Sequence, residues 1–258
     1  MISWIEAQST LIISLLMLSF CYVMAGAAFG CGVILSRRSV GDELKTVSPV
    51  TLTPLAVILG LLIAFIAGRI WENVAHANEH VGQETSALSE IMLLSNALPT
   101  EIGNGLRAAV KQHVAFIEEN DWPAMARLQT NSFTESASLR AGLTMLLSFN
   151  PSEQSYETSR QRIIQSFEKA FEARQNRIRL SKAQIAPIQW TVIVVLTLLI
   201  LLTTAMIHIG RPAAMAITLF IFSTAIGACL ILLMAYDRPF SAGGVSVTPA
   251  AFRDILLN

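Results

Sequence analysis

The chain has 258 residues, 53% hydrophobic and 14% charged, with a mean hydropathy of +0.56, a balance displaced from soluble domains toward membrane proteins. Its formal net charge of zero gives no electrostatic basis for binding nucleic acid. Cys21, Cys31 and Cys229 all fall in apolar runs, where a thiol acts as a small packing group, so neither a disulfide framework nor a zinc site is indicated.

The first apolar run, Leu11 to Leu35, follows a segment that carries Glu6 and no Lys or Arg. It also continues past the small-residue stretch Ala25-Gly26-Ala27, so it reads as a retained helix rather than a cleaved leader. The second run is Leu52 to Ile70, the third Ile188 to Ile207 and the fourth Ala213 to Tyr236, and the only charge in the four is Arg69. A helix of about 20 residues crosses a hydrocarbon core of about 30 Å. The expected fold is therefore an all-α membrane protein with four transmembrane helices and a helical extramembrane bundle inserted between the second and third. Residues 1–70 form one hairpin (helices about 11–35 and 52–70) and 71–186 the bundle. A second hairpin occupies 187–236 (helices about 187–208 and 213–236), followed by a short tail, 237–258.

Within the insert, apolar residues recur at three- and four-residue spacing, which predicts helices throughout. The second span should continue unbroken to Pro99. A helix through Leu106, Val110, Val114 and Ile117 should break at Glu118-Glu119-Asn120-Asp121, with Asp121 capping the next helix and Pro123 in its first turn. A further helix is expected over roughly Met125 to Phe149. Ser152 should cap a long helix through Tyr156, Ile163, Phe167 and Ile178 that leads to Pro187. Between Glu72 and Asp121 eight acids face only Arg107 and Lys111, while the chain from Arg127 onward is mainly basic. Antiparallel packing of the first and last long helices would bring these faces together, although solvated faces with ion pairs of about 0–1 kcal/mol are the plainer reading.

Glu72, His76, His80 and Glu84 recur at four-residue steps, a donor set that zinc accepts. A closed site would need a ligand from elsewhere, for which His113 is a guess, and a polar helix face without metal is the reading taken. No cofactor is expected. The spans lack the intramembrane acids, lysines and histidines of proton-coupled transport, and no phosphate loop, nucleophile elbow or zinc spacing points to an enzyme. Small residues four apart, Gly26 and Gly30, Ala28 and Gly32, Gly60, Ala64 and Gly68, and Ser223 and Gly227, predict close helix packing within one chain or between chains. On the second span Ile58, Leu62, Phe65 and Arg69 form a contrasting bulky face. It would meet lipid or, in a homo-oligomer, line a pore as a hydrophobic constriction.

Arg37, Arg38 and Lys45 between the first two spans, and Arg211 between the last two, place those links in the cytoplasm and the termini and bundle outside. Arg69, Arg174, Arg177, Arg179, Lys182 and Arg238 count the other way.

Three segments carry a resemblance. They are Trp71-Glu72, Asp121-Trp122-Pro123-Ala124-Met125-Ala126, and the tail Tyr236-Asp237-Arg238-Pro239-Phe240 followed by Val245 to Phe252. In this order they resemble the bacterial DUF4239 family, of unknown function and described as bestrophin-like, over essentially the whole chain. The resemblance implies four transmembrane helices in a bacterial inner membrane and conduction of a small anion. It also implies a bundle in the cytosol, opposite to the short-loop charges. Asp237 and Arg238 are expected to pair at the membrane surface, with Pro239 ending the helix. The alternative function is a non-conducting envelope sensor or scaffold whose bundle binds a protein partner.

Overall fold

The computed structural model describes residues 10–37, 48–127, 136–150, 154–241 and 247–257. These residues contain α-helices α1 (Thr10–Ser36), α2 (Leu52–Leu94), α3 (Thr100–Phe116), α4 (Trp122–Ala126), α5 (Ala137–Ser148), α6 (Gln154–Ser181), α7 (Pro187–Ile207), α8 (Pro212–Tyr236) and α9 (Ala250–Leu257), and no strand. Four helices, α1, α2, α7 and α8, are long and apolar enough to cross a membrane.

The chain divides into two compact units. The first takes the described residues up to Glu72 and then Gln184–Asp237; the second takes Asn73–Ala183, Arg238–Ser241 and the described residues from Val247. Helix α2 is continuous through Leu94 and is followed by a single 3-10 turn, Ser95–Ala97, as its unbroken pattern up to Pro99 predicts.

In the first unit, Leu59, Ile66 and Ile70 of α2 pack with Ile193 and Ile200 of α7, Ile226, Leu230 and Leu233 of α8, and Cys21 of α1. Close backbone approach occurs at Gly32, where an added Cβ would lie 2.9 Å from Met215 Sδ, and at Gly227, where it would lie 2.9 Å from Leu18 Cδ2. Ala28 and Ser223, their partners in the four-residue steps, are fully buried. The link from α7 to α8 turns at Gly210, whose φ of 86° a side chain would strain, and Pro212 supplies the preset φ of the first turn of α8.

In the second unit, Leu88 and Ile91 of α2, Leu106, Val110 and Val114 of α3, Leu139 and Leu146 of α5, and Ile163 and Phe167 of α6 form the core. These are the three- and four-residue positions of the sequence pattern. Gly103 sits so close to the preceding turn that an added Cβ would overlap the Ser95 carbonyl oxygen. Because the obstacle is backbone, Gly103→Ala is expected to lower stability by about 1–3 kcal/mol. Thermal unfolding of the purified protein in detergent measures it.

Three local expectations are corrected. The helix of Leu106 to Ile117 does not break at Glu118; a π-helical turn, Ile117–Asp121, carries it into α4. Asp121 is helical and makes no capping hydrogen bond, because its carboxylate is taken up by two arginines in the interior. The expected helix from Met125 to Phe149 is two helices, α4 ending at Ala126 and α5 starting at Ala137, capped by the Ser136 hydroxyl. The cap expected at Ser152 and the cations Arg38 and Lys45 lie outside the described residues, as do Gly243 to Ser246 of the tail. The tail also holds a helix, α9, that the pattern did not announce.

Candidate functional site

Two groups of residues merit a functional reading, one in each unit. In the first, α2 presents three sides. By the 100° step, Leu59, Ile66 and Ile70 face the other spans; Ile58, Leu62, Phe65 and Arg69 follow one flank, and Gly60, Ala64 and Gly68 follow the opposite one. Ile58 is 52% and Phe65 72% exposed; Arg69 is exposed and Leu62 half-buried. Gly60, Ala64 and Gly68 are exposed as well, and a Cβ on Gly60, Gly68, Gly26 or Gly30 would meet nothing within 4 Å. Within one chain the side facing the other spans is taken by the larger Leu59, Ile66 and Ile70, which bury more apolar surface there.

In the second unit, α2, α3, the π-helical turn, α5 and α6 surround a buried ionic centre. Arg177, fully buried, donates from Nε to Glu84 Oε2 (2.7 Å) and from Nη2 to Glu84 Oε1 (3.1 Å) and Asp121 Oδ2 (3.3 Å). Arg174 meets the same Asp121 with two parallel bonds, Nε to Oδ2 at 2.8 Å and Nη2 to Oδ1 at 2.9 Å. These are charge-assisted bonds in the fork geometry that guanidinium and carboxylate share. The Arg177 guanidinium also lies 5.4 Å from the Trp122 ring centre and 5.5 Å from that of Phe252. Trp122 in turn meets Phe240 edge-on at 5.5 Å and Phe252 at 6.1 Å. The extra residue of the π-helical turn advances the helix phase, so that Asp121 reaches the interior beside Trp122.

His113, fully buried on α3, completes the centre. Its Nδ1 is 2.7 Å from Ser136 Oγ, and its Nε2 is 3.6 Å from Glu84 Oε1 without a hydrogen-bond partner. Burial alone would raise the Glu84 pKa, but Arg177 and His113 together hold it below its ordinary 4.5, while Glu84 and Asp121 hold the Arg177 guanidinium charged against its own burial. A depressed carboxylate pKa contributes stability that is present above 4.5 and lost as pH falls through the lower folded-state value. Hydrogen exchange across α2 and α6 is therefore expected to show an acceleration below pH 4.5 that Glu84→Gln abolishes.

The stripe considered for metal binding does not converge. Glu84 turns inward to Arg177, His76 Nδ1 contacts Glu79 Oε2 at 3.2 Å and His80 Nδ1 contacts Gln83 Oε1 at 3.2 Å. Among the described residues no three His, Cys, Asp or Glu side chains form a metal-binding group. Trp71 and Glu72, at the end of the spanning part of α2, are exposed. The Asp237 carboxylate accepts the Ile185 amide at 2.9 Å. Burial pushes this carboxyl up to about 6, against the opposing pull of that amide. Helix α8 ends at Tyr236, three residues before Pro239, and Phe240 is buried among the core residues of the second unit.

Two of the three segments that carry the resemblance therefore meet in space: Asp121, Trp122 and Phe252 contact Arg177, and Phe240 packs on Trp122. Arg177 itself was read only as one of several cations before the third span, and Glu84 only as a member of the histidine stripe and of the eight acids. The signal for both was the division of acidic and basic halves, realised here as a buried pair rather than as a solvated face.

Residues 18–252 match the Bestrophin-like domain. Among solved structures, the chain resembles crystal structures of a bacterial bestrophin homologue from Klebsiella pneumoniae carrying single substitutions. One has a TM-score of 0.69 at 13% identity over 96% of each chain. Another has a TM-score of 0.68 at 12% identity over 94% of this chain and 96% of that one. A further crystal structure, described as a membrane protein with a single substitution, gives 0.68 at 12% identity over 94% and 95%. At such identities these likenesses establish the fold. No curated protein matches. With the domain match covering nearly its whole length, the chain belongs to the bestrophin-like family.

Proposed function

We propose that this protein is a homo-oligomeric channel for small anions in the bacterial plasma membrane, with α2 from each subunit lining the pore. The observation that carries the reading is the flank of α2 on which Ile58 and Phe65 stand exposed and Arg69 ends the row. Large apolar side chains facing a shared axis make a constriction that gates by dewetting, and a cation at its mouth attracts anions. The opposite flank, Gly60, Ala64 and Gly68, lets a neighbouring helix approach closely. Those two flanks are what a helix needs to pack laterally in a ring while keeping one edge toward the axis. Residues 71–186, built around the Arg177 centre, form the extramembrane part of the channel. Its match to the bestrophin-like domain supports this function over that of a scaffold.

The test is anion efflux from liposomes containing the purified protein. Flux that changes in Phe65→Ala supports the pore assignment. Silence across several anions, with the protein folded and oligomeric, favours the sensor or scaffold.

The short-loop cations place the bundle outside the cell and the resemblance places it in the cytosol. A single cysteine at the exposed Glu101, in a chain freed of its three native thiols, decides between them. Labelling of intact cells by an impermeant maleimide assigns the bundle to the outside, and labelling only after lysis assigns it to the cytosol.

A further inference from the structure

In the ionic centre, the buried His113 Nε2 has no hydrogen-bond partner among the described residues. Its ring meets the Ser136 hydroxyl at the start of α5 and faces Glu84 from α2; Glu84 pairs with Arg177 from α6, which shares Asp121 of the π-helical turn with Arg174. Two carboxylates and two guanidiniums balance, so the centre is neutral while the imidazole is neutral. We propose that His113 is a proton sensor whose charging re-pairs Glu84 and thereby loosens the Arg177 clamp.

The geometry supplies both states. With a neutral imidazole protonated on Nε2, the Ser136 hydroxyl donates to Nδ1, and Glu84 stays with Arg177 at 2.7 and 3.1 Å. With a proton on each nitrogen, Nδ1–H must donate to Ser136 Oγ, and the Ser136 hydroxyl hydrogen turns to Ser138 Oγ, 3.0 Å away. The Nε2–H then faces Glu84 Oε1 at 3.6 Å, a gap too long for a hydrogen bond and short enough to close by a small side-chain shift. The oxygen drawn toward His113 is the one that accepts from Arg177 Nη2. A buried centre carrying one excess positive charge is costly, and moving Glu84 toward the new cation weakens its bond to Arg177. Arg177 in turn supports Trp122 and Phe252, so the change is felt by α9. His113 on α3 stands between Ser136 at the start of α5 and Glu84 of α2.

Trp122 is the reporter. In the full-length protein in detergent, with Trp4, Trp71 and Trp190 replaced by phenylalanine, Trp122 emission is followed from pH 8 to 5. The proposal expects a one-proton transition that disappears in His113→Gln and persists in the joint variant His76→Gln, His80→Gln, His208→Gln. Ser136→Ala, which removes the acceptor of the protonated Nδ1–H, is expected to lower the midpoint. It serves as the deciding variant should His113→Gln fail to fold. A flat wild-type response, a transition that survives in His113→Gln and vanishes in Asp237→Asn, or an unmoved midpoint in Ser136→Ala would each overturn the proposal.

Discussion

Arg177→Ala is expected to leave the bundle unable to fold stably, a loss of about 3–5 kcal/mol. Glu84 and Arg177 are both fully buried, and Asp121 is 2% exposed. Removing the guanidinium leaves the Glu84 carboxylate with only the distant His113 Nε2 at 3.6 Å, and leaves Asp121 with Arg174 alone. The aromatic contacts of Trp122 and Phe252 with the cation disappear as well. Against the roughly 5–15 kcal/mol by which domains are stable, such a loss is large. The pair itself contributes far less than its disruption costs, because two charges must first be taken out of water. Glu84→Gln combined with Arg177→Met is therefore expected to recover much of the loss, whereas either single change is not. Hydrogen exchange and thermal unfolding in detergent separate the cases. A double variant as unstable as Arg177→Ala would show that the bundle needs the ionic contact for more than charge balance.

Phe65→Ala is expected to raise anion flux by roughly tenfold, equivalent to about 1.4 kcal/mol off the barrier. Phe65 is 72% exposed, so its loss leaves no cavity in the subunit and little effect on folding is expected. That separates a change in conduction from a change in stability. Arg69→Ala should act differently, reducing the preference for anions over cations without widening the constriction, and Arg69→Lys should retain it. The Arg69 effect should also shrink above about 0.1 M salt, where a charge is screened beyond about 10 Å. Equal flux in Phe65→Ala and the parent would show that this flank of α2 faces lipid.

The four spans were legible because lipid leaves helices few alternatives: a backbone that cannot bond to water must bond to itself. Their ends, at Thr10, Leu52, Pro187 and Pro212 on the entry side, fall within a residue of the apolar runs. The bundle core was legible for a related reason, since Leu106, Val110 and Val114 or Ile163 and Phe167 repeat at helical spacing. Asp121 was misread because Asp followed two residues later by Pro is a capping pattern in local sequence. What overrode it was long-range, two arginines 53 and 56 positions away. Helix α9 went unnoticed because eight residues carry too short a period to stand out, and its Phe252 is held by partners in α4 and α6. Small-residue spacing marked three helices as able to approach closely, but it did not say which would do so inside the chain. Ala28, Gly32, Ser223 and Gly227 do, whereas Gly26, Gly60 and Gly68 stand open.

The most direct measurement is the reversal potential of current through the purified protein in a planar bilayer separating two concentrations of potassium chloride. A membrane channel selective for small anions reverses close to the chloride equilibrium potential, and the reversal moves toward zero in Arg69→Ala. Reversal at the potassium potential, or the absence of current from protein shown to be folded and oligomeric, would contradict it.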